Sequence, residues 1–393
     1  MHEEIVILSA VRTPMGSFLG ELLPFSAHEL GSHAIREAVR QSEVNPEHID
    51  QVLMGCVLPA GQGQAPARQA ALKAGLQTSV ACTTLNKVCG SGMQAIIFGQ
   101  NLLKVSQAEV VVAGGMESMS NTTYLMSRAR TGYRMGHSKI FDHMFLDGLE
   151  DAYQPGRLMG TFAEESAETY QLSREAQDSF AITSLKRARN AIENGNFDDE
   201  IVPIAVEQKN QKLTIMRDEQ PLKAKIEKIT QLKPAFSSNG TVTAANASSI
   251  SDGAAALVLS SLNYAQTHAI QPLAKIVSQA VYAGEPHLFT TAPVFAIQKL
   301  LKQCDWQVGD VDLFEINEAF AIVPMIAMQE LDINHDKVNV NGGACALGHP
   351  LGTSGARIVV TLIHALKQRN LKRGIAAICI GGGEALAIAI EIF

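Results

Sequence analysis

Residues 109–117 read EVVVAGGME, and residues 375–384 repeat the pattern as IAAICIGGGE. In both places an apolar segment with helical spacing precedes the strand, and it opens with a Ser-Gly pair, Ser91-Gly92 in one and Ser354-Gly355 in the other. Short apolar strands that alternate with longer helical patterns are typical of α/β units. We therefore predict an α/β chain that contains two similar halves.

Two further strand-like segments recur at nearly the same offset. Residues 48–54 correspond to residues 310–316, and residues 5–7 correspond roughly to residues 274–277. Any one match of this kind can arise by chance, because apolar strands resemble one another. The shared offset across several elements nevertheless indicates a duplication.

The material between the two halves differs in texture. It carries much of the charge and has two helix-like stretches, at residues 162–170 and 174–194. Residues 121–143 hold aromatics and arginines, which are as typical of an exposed loop as of a subunit contact. An insertion between two α/β halves commonly covers a ligand-binding crevice. We predict an N-terminal half at 1–118, an inserted loop domain at 119–250 and a C-terminal half at 251–393.

The composition excludes several classes of protein. Apolar residues make up 46% and charged residues 18%, which favours a large buried core over disorder. The net charge of -7 argues against a nucleic-acid partner. No apolar run is long enough to predict a transmembrane span. The cysteines and histidines lack disulfide-framework or metal-ligand spacing, and the first residues lack a targeting pattern, so we expect reduced thiols, no metal and a cytoplasmic location.

Cys89 is the first candidate for chemistry. It directly precedes Gly90-Ser91-Gly92 and the start of an apolar helical pattern. Backbone N–H groups and the helix dipole at such a site favour a thiolate, so we expect a pKa below about 8.5 and a nucleophilic sulfur. The alternative is a small buried hydrophobic residue, which is what most intracellular cysteines are.

His349 and Cys379 are the second and third candidates. His349 lies in a glycine-rich turn before the second repeated helix, at the place equivalent to the turn of Cys89, so an imidazole there can accept the thiol proton. Cys379 ends an apolar strand, which is where α/β folds place active groups. Both residues can also be merely structural. Asn317, after the strand 313–316, either holds a water or carbonyl oxygen or caps a helix.

Four segments together resemble the active-site motifs of the thiolases: VCGSG at 88–92, NEAF at 317–320, GHP at 348–350 and CIGGG at 379–383. Residues 10–14, 241–248 and 252–255 match further stretches of that family, so the resemblance covers the whole chain. Within the family the chain is most similar to the acetyl-CoA acetyltransferases. The resemblance implies a five-layered αβαβα fold with two duplicated halves and a loop domain that holds coenzyme A.

The resemblance also implies roles for single residues. Cys89 becomes the acylated nucleophile and His349 the base that activates it. Cys379 becomes the acid/base that removes a proton from the α-carbon of a second acyl-CoA. Asn317 would position a water that forms one oxyanion hole with His349, and the N–H groups of Cys89 and Gly381 would form the other. The implied reaction is ping-pong acyl transfer followed by Claisen condensation to acetoacetyl-CoA, or the reverse thiolysis.

For the substrate, the resemblance implies coenzyme A as a co-substrate and no resident cofactor. Three departures from the family pattern concern binding. Leu158 stands where many biosynthetic members have His, and Phe289 begins a segment that is usually Met-Gly-x-Gly-Pro. The arginine that often stacks on adenine has no clear equivalent, and Lys223 and Lys225 are the nearby substitutes. The residues expected to line the acyl and coenzyme A sites are Met159, Lys223, Phe236, Ala244, Ser248, Phe289 and Phe320.

Alternative functions stay open at this point. One is a thiolase for medium- or long-chain 3-ketoacyl-CoA in fatty acid metabolism. Another is a condensing enzyme like the ketoacyl synthases, although these typically lack a second cysteine such as Cys379. A third is a non-catalytic lipid-binding protein of the same fold, which the presence of Cys89 and His349 disfavours. The resemblance also implies a homo-oligomer, a dimer or a tetramer, with residues 121–143 as the second contact.

Overall fold

The computed structural model describes residues 3–208 and 211–393. Strands Ile5–Arg12 and Leu313–Ile316 form where the sequence has short apolar runs, and both are buried along their whole length. The strands are β1 Ile5–Arg12, β2 Gly16–Ser17, β3 Gln51–Gly55, β4 Ala81–Leu85, β5 Val110–Ser118, β6 Tyr124–Leu125, β7 Phe141–Asp142, β8 Ile204–Gln208, β9 Gln211–Ile215, β10 Ser251–Ser261, β11 Ala274–Ala283, β12 Leu313–Ile316, β13 Arg373–Ile380 and β14 Glu384–Ile392.

Helices alternate with these strands through both halves. The predicted helix start at Ser173 is confirmed, because its side chain accepts a hydrogen bond from the N–H of Ala176, and Gly195 follows the helix end with a φ of +71°. The helices are α1 Ala27–Gln41, α2 Pro66–Ala74, α3 Ser91–Lys104, α4 Met159–Thr169, α5 Arg174–Glu193, α6 Glu219–Lys223, α7 Leu262–Thr267, α8 Ala292–Cys304, α9 Ile322–Leu331, α10 Ala344–Leu347 and α11 Leu351–Gln368.

The main sheet has the same strand order in each half. Counted toward the centre, the order β3-β5-β10-β1 corresponds to β12-β13-β14-β11, β4 is an additional edge strand beside β3, and β1 and β11 are antiparallel at the junction. β3 and β5 are parallel, as are β12 and β13. β10 and β14 occupy equivalent places, each antiparallel to its neighbours. The predicted duplication is thus confirmed in the strand pairing, while the predicted domain bounds stay a prediction.

Side chains on the two faces of these strands enter different cores, and this produces the layers. Val110 and Val112 of β5 face a core that includes residues of α1 and α2, whereas Val111 and Ala113 face the core around α3 and α11. In β13, Ile378 faces the α3–α11 core, and its neighbours in sequence face a third core with α8 and α9. The layers are therefore α1–α2, the part of the sheet with β3, β5, β10 and β1, then α3–α11, the part with β12, β13, β14 and β11, and α8–α9, which confirms the predicted αβαβα fold.

The central layer explains the repeated Ser-Gly pairs. A Cβ placed on Gly92 of α3 would lie 2.8 Å from the N of Ala356 in α11, and a Cβ on Gly355 would lie 2.6 Å from the N of Met93. Both distances are shorter than real Cβ contacts, so only glycine permits the helices to cross this closely. The turn of Cys89 lies just before α3, and the turn of His349 lies just before α11. The crossing of the two helices therefore brings these two turns together.

The insertion contributes α4, α5 and α6 together with the loops between them. The helix-like stretches predicted at residues 162–170 and 174–194 are present as α4 and α5. Across the described ranges, 3–208 and 211–393, no helix combines the length and the apolar character needed to cross a bilayer.

Candidate active site

A cavity of about 480 Å³ lies where the turn that carries Cys89 meets the turn that carries His349. Cys89, His349, Cys379 and Gly381 all line it. Cys89 lies just before α3, His349 lies just before α11, and Cys379 lies near the carboxyl end of β13. The structure therefore brings together four of the residues singled out from the sequence, with one helix start supplied by each half.

The turn that carries Cys89 is strained and tightly held. Val88 has a φ of +47°, a left-handed conformation that β-branched residues rarely adopt. Its N–H donates to Oδ1 of Asn86 at 2.8 Å, and its carbonyl accepts a hydrogen bond from Oγ of Ser91 at 2.7 Å. These bonds fix the sharp turn that directs Cys89 toward the cavity, a feature that no sequence pattern indicated.

The expected low pKa of Cys89 is wrong. Burial raises its pKa to about 12, and the negative charge of Glu117 adds to the rise. The backbone N–H groups of Gly381 and of Cys89 itself face the sulfur and lower the pKa in part, as the helix-start argument anticipated. Desolvation outweighs them, so the resting group is a neutral thiol whose remaining accessible surface faces the cavity.

His349 is positioned as a neutral base. Burial first, and then the charge of Arg357, lowers its pKa to about 3. Nδ1 lies 2.5 Å from Oγ of Ser354, while Nε2 has no hydrogen-bond partner within the part of the chain that the structure describes. An imidazole anchored through one nitrogen, with the other free at a cavity, is suited to accept a proton.

Cys379 and Gly381 form another part of the cavity wall. Cys379 is buried, and burial first and then its proximity to Cys89 raise the pKa of its thiol well above the ordinary value. The two sulfurs are thus close enough to influence each other, although neither is bonded to another cysteine. Gly381 has the Cε of Met159 and Cγ1 of Val88 as the nearest neighbours of its missing side chain, at 3.5 and 3.8 Å. Its N–H therefore remains close to Cys89 without a bulky side chain between them.

Asn317 lies behind this wall rather than on it. It follows β12, its backbone N–H donates to the carbonyl of Ala377, and its side chain is buried. It does not cap a helix, because the residue flanking α9 is Ala321. Neither Oδ1 nor Nδ2 finds a partner among residues 3–208 and 211–393. A buried amide of this kind normally binds an ordered water.

The remaining walls of the cavity are largely apolar. The ring of Phe320 lies edge-on to two others, 5.9 Å from the ring of Phe236 and 6.3 Å from the ring of Phe289. Phe289 is buried and lines the cavity, so the segment that departs from the family pattern contributes to the cavity wall. The predicted lining residues that the structure places here are Met159, Phe236, Ala244, Ser248, Phe289 and Phe320.

Lys223 is the one predicted binding residue that lies outside this cavity. It lines an adjoining cavity of about 350 Å³ together with Lys225 and Lys228, and Ala244 belongs to the walls of both. Its Nζ pairs with Glu219, and its side chain is more than half exposed. The largely apolar cavity that contains Cys89, which we call the apolar chamber, therefore adjoins a smaller cavity lined by Lys223, Lys225 and Lys228.

Sequence reasoning missed two parts of the site. Ser354 was read only as a helix start, yet its hydroxyl contacts His349, and its place in the repeat matches that of Ser91. Residues Phe145–Leu149 form a π-helical turn whose Phe145, Gly148 and Leu149 line the cavity. Such turns often occur at functional sites, but nothing in the sequence marks this one.

Over the described ranges of the chain, no group of three or more His, Cys, Asp or Glu side chains is arranged to hold a metal ion. The cavity presents two thiols, an imidazole and backbone N–H groups, which suit acyl transfer to sulfur.

Comparison with known proteins agrees with this geometry. Residues 5–263 match the family model of the thiolase N-terminal domain, and residues 270–392 match that of the thiolase C-terminal domain. A probable acetyl-CoA acetyltransferase of Dictyostelium discoideum is 48% identical over 99% of this chain and 94% of its own length. The acetyl-CoA acetyltransferase of Pseudomonas aeruginosa is 47% identical over 99% of both chains.

Solved structures give the same result. The acetyl-CoA acetyltransferase of Bacillus anthracis superimposes with a TM-score of 0.97 at 42% identity, covering 100% of this chain and 99% of that one. A thiolase of Ascaris suum, solved in complex with coenzyme A, superimposes with a TM-score of 0.94 at 42% identity and covers 100% of both chains.

Proposed function

Because the chain belongs to the thiolase family, we propose that it is an acetyl-CoA C-acetyltransferase that condenses two acetyl-CoA molecules to acetoacetyl-CoA and catalyses the reverse thiolysis. The observation that carries the proposal is the meeting of Cys89, His349 and Cys379 at one cavity. Relatives that share nearly half of its residues over their full length carry the name acetyl-CoA acetyltransferase. This favours acetoacetyl-CoA chemistry over the longer-chain, condensing-enzyme and non-catalytic alternatives.

In the first half-reaction, Cys89 attacks the thioester carbonyl of acetyl-CoA. Nε2 of His349 accepts the thiol proton as the new sulfur–carbon bond forms. The resting pair stays neutral, since the pKa of Cys89 is about 12 and that of His349 about 3. Proton transfer is therefore coupled to the attack itself, and free thiolate does not accumulate before substrate binds.

The developing oxyanions are stabilised by two separate sets of donors. The N–H groups of Cys89 and Gly381, which already face the sulfur of Cys89, bind the oxygen of the acyl group on that sulfur. Asn317 holds a water that, with His349, binds the thioester oxygen of the second acetyl-CoA. The unpartnered buried amide of Asn317 supports this role, as stated above.

In the second half-reaction, Cys379 is the base that deprotonates the α-carbon of the second acetyl-CoA. It donates its proton to the sulfur of departing coenzyme A in the first half-reaction and is then a thiolate. That thiolate takes a proton from the α-carbon of the second acetyl-CoA, and the carbanion attacks the acetyl group on Cys89. The sulfur of Cys89 leaves and regains its proton from His349, so both cysteines end as thiols and the protons balance.

A direct test is to assay the purified chain in both directions. We expect release of coenzyme A from acetyl-CoA and cleavage of acetoacetyl-CoA by coenzyme A. Intact-mass and peptide mass spectrometry after mixing with acetyl-CoA should find one acetyl group, on Cys89. Activity without any acetylated Cys89 would overturn the ping-pong mechanism, and absence of both activities would overturn the function.

Coenzyme A binds as a substrate, and the reaction as written needs no resident cofactor. We assign the apolar chamber to the acyl group and the adjacent pantetheine, contacted by Ser248, Met159 and Phe236. The phosphates and adenine then extend toward the cavity of Lys223, where positive side chains complement a polyanion.

The assembly proposed is a homo-oligomer, a dimer or tetramer, in the cytoplasm. Tyr124 and Met135 are 69% and 98% exposed within the segment of residues 121–143, an unusual exposure for large apolar side chains, which supports a subunit contact. The cysteines are all free thiols, which supports a reducing compartment. Light scattering coupled to size exclusion tests the oligomer, and cell fractionation tests the location.

A further inference from the structure

Glu117 is a fully buried carboxylate that the mechanism above leaves without a role. It belongs to β5, and its side chain accepts hydrogen bonds from the N–H groups of Val57, Leu58 and Gly352 at 2.9, 3.2 and 2.8 Å. The thiol of Cys56 adds a weak contact at 3.6 Å. These bonds tie a loop of the first half to the first turn of α11 in the second half.

The segments tied together are those that surround the reacting sulfur. Cys89 packs against the small core that contains Val57, Leu58 and Leu351. Glu117 binds the N–H groups of the first two and of Gly352, the residue after Leu351. Gly352 also lies three residues after His349. The carboxylate of Glu117 therefore links the loop that packs against Cys89 to the start of α11, which follows His349.

The duplicated half supplies an internal comparison. Glu384 ends the matching Gly-Gly-x-Glu pattern but begins β14 instead of lying inside β13, the strand equivalent to β5, and it forms a salt bridge at 2.5 Å with Lys87, two residues before Cys89. That pair is partly exposed. Glu117, in contrast, forms no salt bridge within residues 3–208 and 211–393, and burial raises its pKa to about 7. Burying an ionised carboxylate at this position costs free energy, because the three N–H donors and the start of α11 make up for its lost hydration only in part.

We propose that Glu117 is a positioning residue for acyl transfer. It holds the loop at Val57 and Leu58 and the start of α11 in the relative positions that bring Cys89 and His349 together. The proposal rests on the function proposed above. A second consequence is electrostatic, since the charge of Glu117 disfavours a thiolate at Cys89. The nearby groups that titrate or carry charge are the two thiols, Cys56 and Cys89. The residue thus has one effect through geometry and one through charge, and these can be separated.

Two substitutions separate the effects. Glu117→Asp keeps the charge and shortens the reach by one methylene, whereas Glu117→Gln keeps the length and removes the charge. Glu164→Gln is the matched control, because Glu164 likewise accepts two backbone N–H groups, from Thr241 and Val242 at 2.7 and 2.9 Å, but in another loop. For each protein we would measure the rate of Cys89 acetylation by acetyl-CoA and the pH dependence of Cys89 alkylation by iodoacetamide, read on the Cys89 peptide.

Both Glu117 variants should acetylate Cys89 about tenfold to a hundredfold more slowly, as expected for a misplaced reacting pair. Glu117→Gln should also move the alkylation curve to lower pH, because removal of a negative charge eases ionisation of the thiol. Glu117→Asp should leave the curve near that of the wild type, and so should Glu164→Gln. A folded Glu117→Gln protein with an unchanged acetylation rate and an unchanged curve would overturn the proposal. If the wild type is not acetylated at all, the proposed function fails, whereas the alkylation curves still report on Glu117.

Hydrogen exchange on the wild-type protein covers the case in which neither variant folds. The amides of Val57, Leu58 and Gly352 share one acceptor group, so they should open together and show similar protection. Independent opening, with Gly352 protected and the other two exchanging freely, would contradict the link.

Discussion

Nδ1 of His349 lies 2.5 Å from Oγ of Ser354, and that same hydroxyl lies 2.9 Å from the carbonyl of Pro350. Because the hydroxyl proton is used on Pro350, the oxygen accepts the hydrogen on Nδ1. This arrangement selects the tautomer whose lone pair is on Nε2, the nitrogen without a partner among the described residues. Ser354 therefore determines which nitrogen of His349 is the base.

Replacing Ser354 with alanine should slow both half-reactions. The Ser354→Ala variant loses the contact that fixes the tautomer, and we expect kcat to fall about tenfold to a hundredfold with little change in KM. Ser32→Ala is the control, since Ser32 is a buried helix serine whose hydroxyl donates to a carbonyl of its own helix, that of Glu29. Equal activity of the two variants in steady-state thiolysis would contradict the role of Ser354.

The two cysteines should fail in different half-reactions. Cys89→Ser should abolish covalent labelling by acetyl-CoA, because the nucleophilic sulfur is gone. Cys379→Ser should still become acetylated on Cys89 but should condense poorly, by at least about a hundredfold, since a hydroxyl is a weak base for a carbon acid. Quenched-flow mass measurements distinguish the two. Loss of acetylation in both variants would mean that Cys379 is misassigned.

Phe289 should limit the length of the acyl chain. Its ring lines the cavity beside Phe320, so Phe289→Ala should enlarge the acyl space. We expect the ratio of kcat/KM for longer 3-ketoacyl-CoA thiolysis to that for acetoacetyl-CoA to rise about tenfold. Phe295→Ala is the control on the same helix region, because Phe295 is 43% exposed and stacks on Tyr282 instead. An unchanged ratio in Phe289→Ala would place the limit elsewhere.

Lys223 should contribute to binding but not to chemistry. Its cavity adjoins the acyl chamber, and we assign it to the charged end of coenzyme A. Lys223→Ala should raise KM for acetyl-CoA several-fold at low salt and leave kcat unchanged, with the difference shrinking as salt screens the charge. Lys302→Ala, an exposed lysine of α8, serves as the control. A drop in kcat without any change in KM would contradict the assignment.

His349 should make the fold sensitive to acid. Its pKa is about 3 in the folded chain against an ordinary 6.5, so the unfolded chain binds the proton first as the pH falls. The stabilisation is complete above pH 6.5 and is lost toward pH 3. Between pH 6 and pH 5 we expect the wild type to lose about 1 kcal/mol more unfolding free energy than His349→Gln does. Urea titrations at both pH values measure this, and parallel losses would contradict it.

The repeat made the fold accessible to sequence reasoning. Buried strands such as Leu313–Ile316 were recognisable because both of their faces are covered and their residues are continuously apolar. The helix α5 was recognisable through Ser173 at its start and Gly195 after its end. Such signals are local, so a single sequence contains them.

The properties of the site that depend on surroundings were less accessible. The pKa of Cys89 was misjudged because the local helix start was visible in sequence, whereas burial and the charge of Glu117 come from distant segments. The sequence pattern marks Ser354 only as a helix start, because its bond to His349 depends on the path of the turn between them. The strained Val88 and the π-helical turn at Phe145–Leu149 likewise have no compositional signal.

The close crossing at Gly92 and Gly355 also constrains how the chain can change over time. A side chain gained at either position would meet backbone atoms of the opposite helix, at Ala356 or at Met93. A neighbouring side chain cannot be trimmed to make room, because the obstruction is main chain. A substitution at one glycine therefore has no single compensating substitution in the other half. The two halves differ in sequence over most of their length, yet at this contact the backbone of each half requires a glycine in the other.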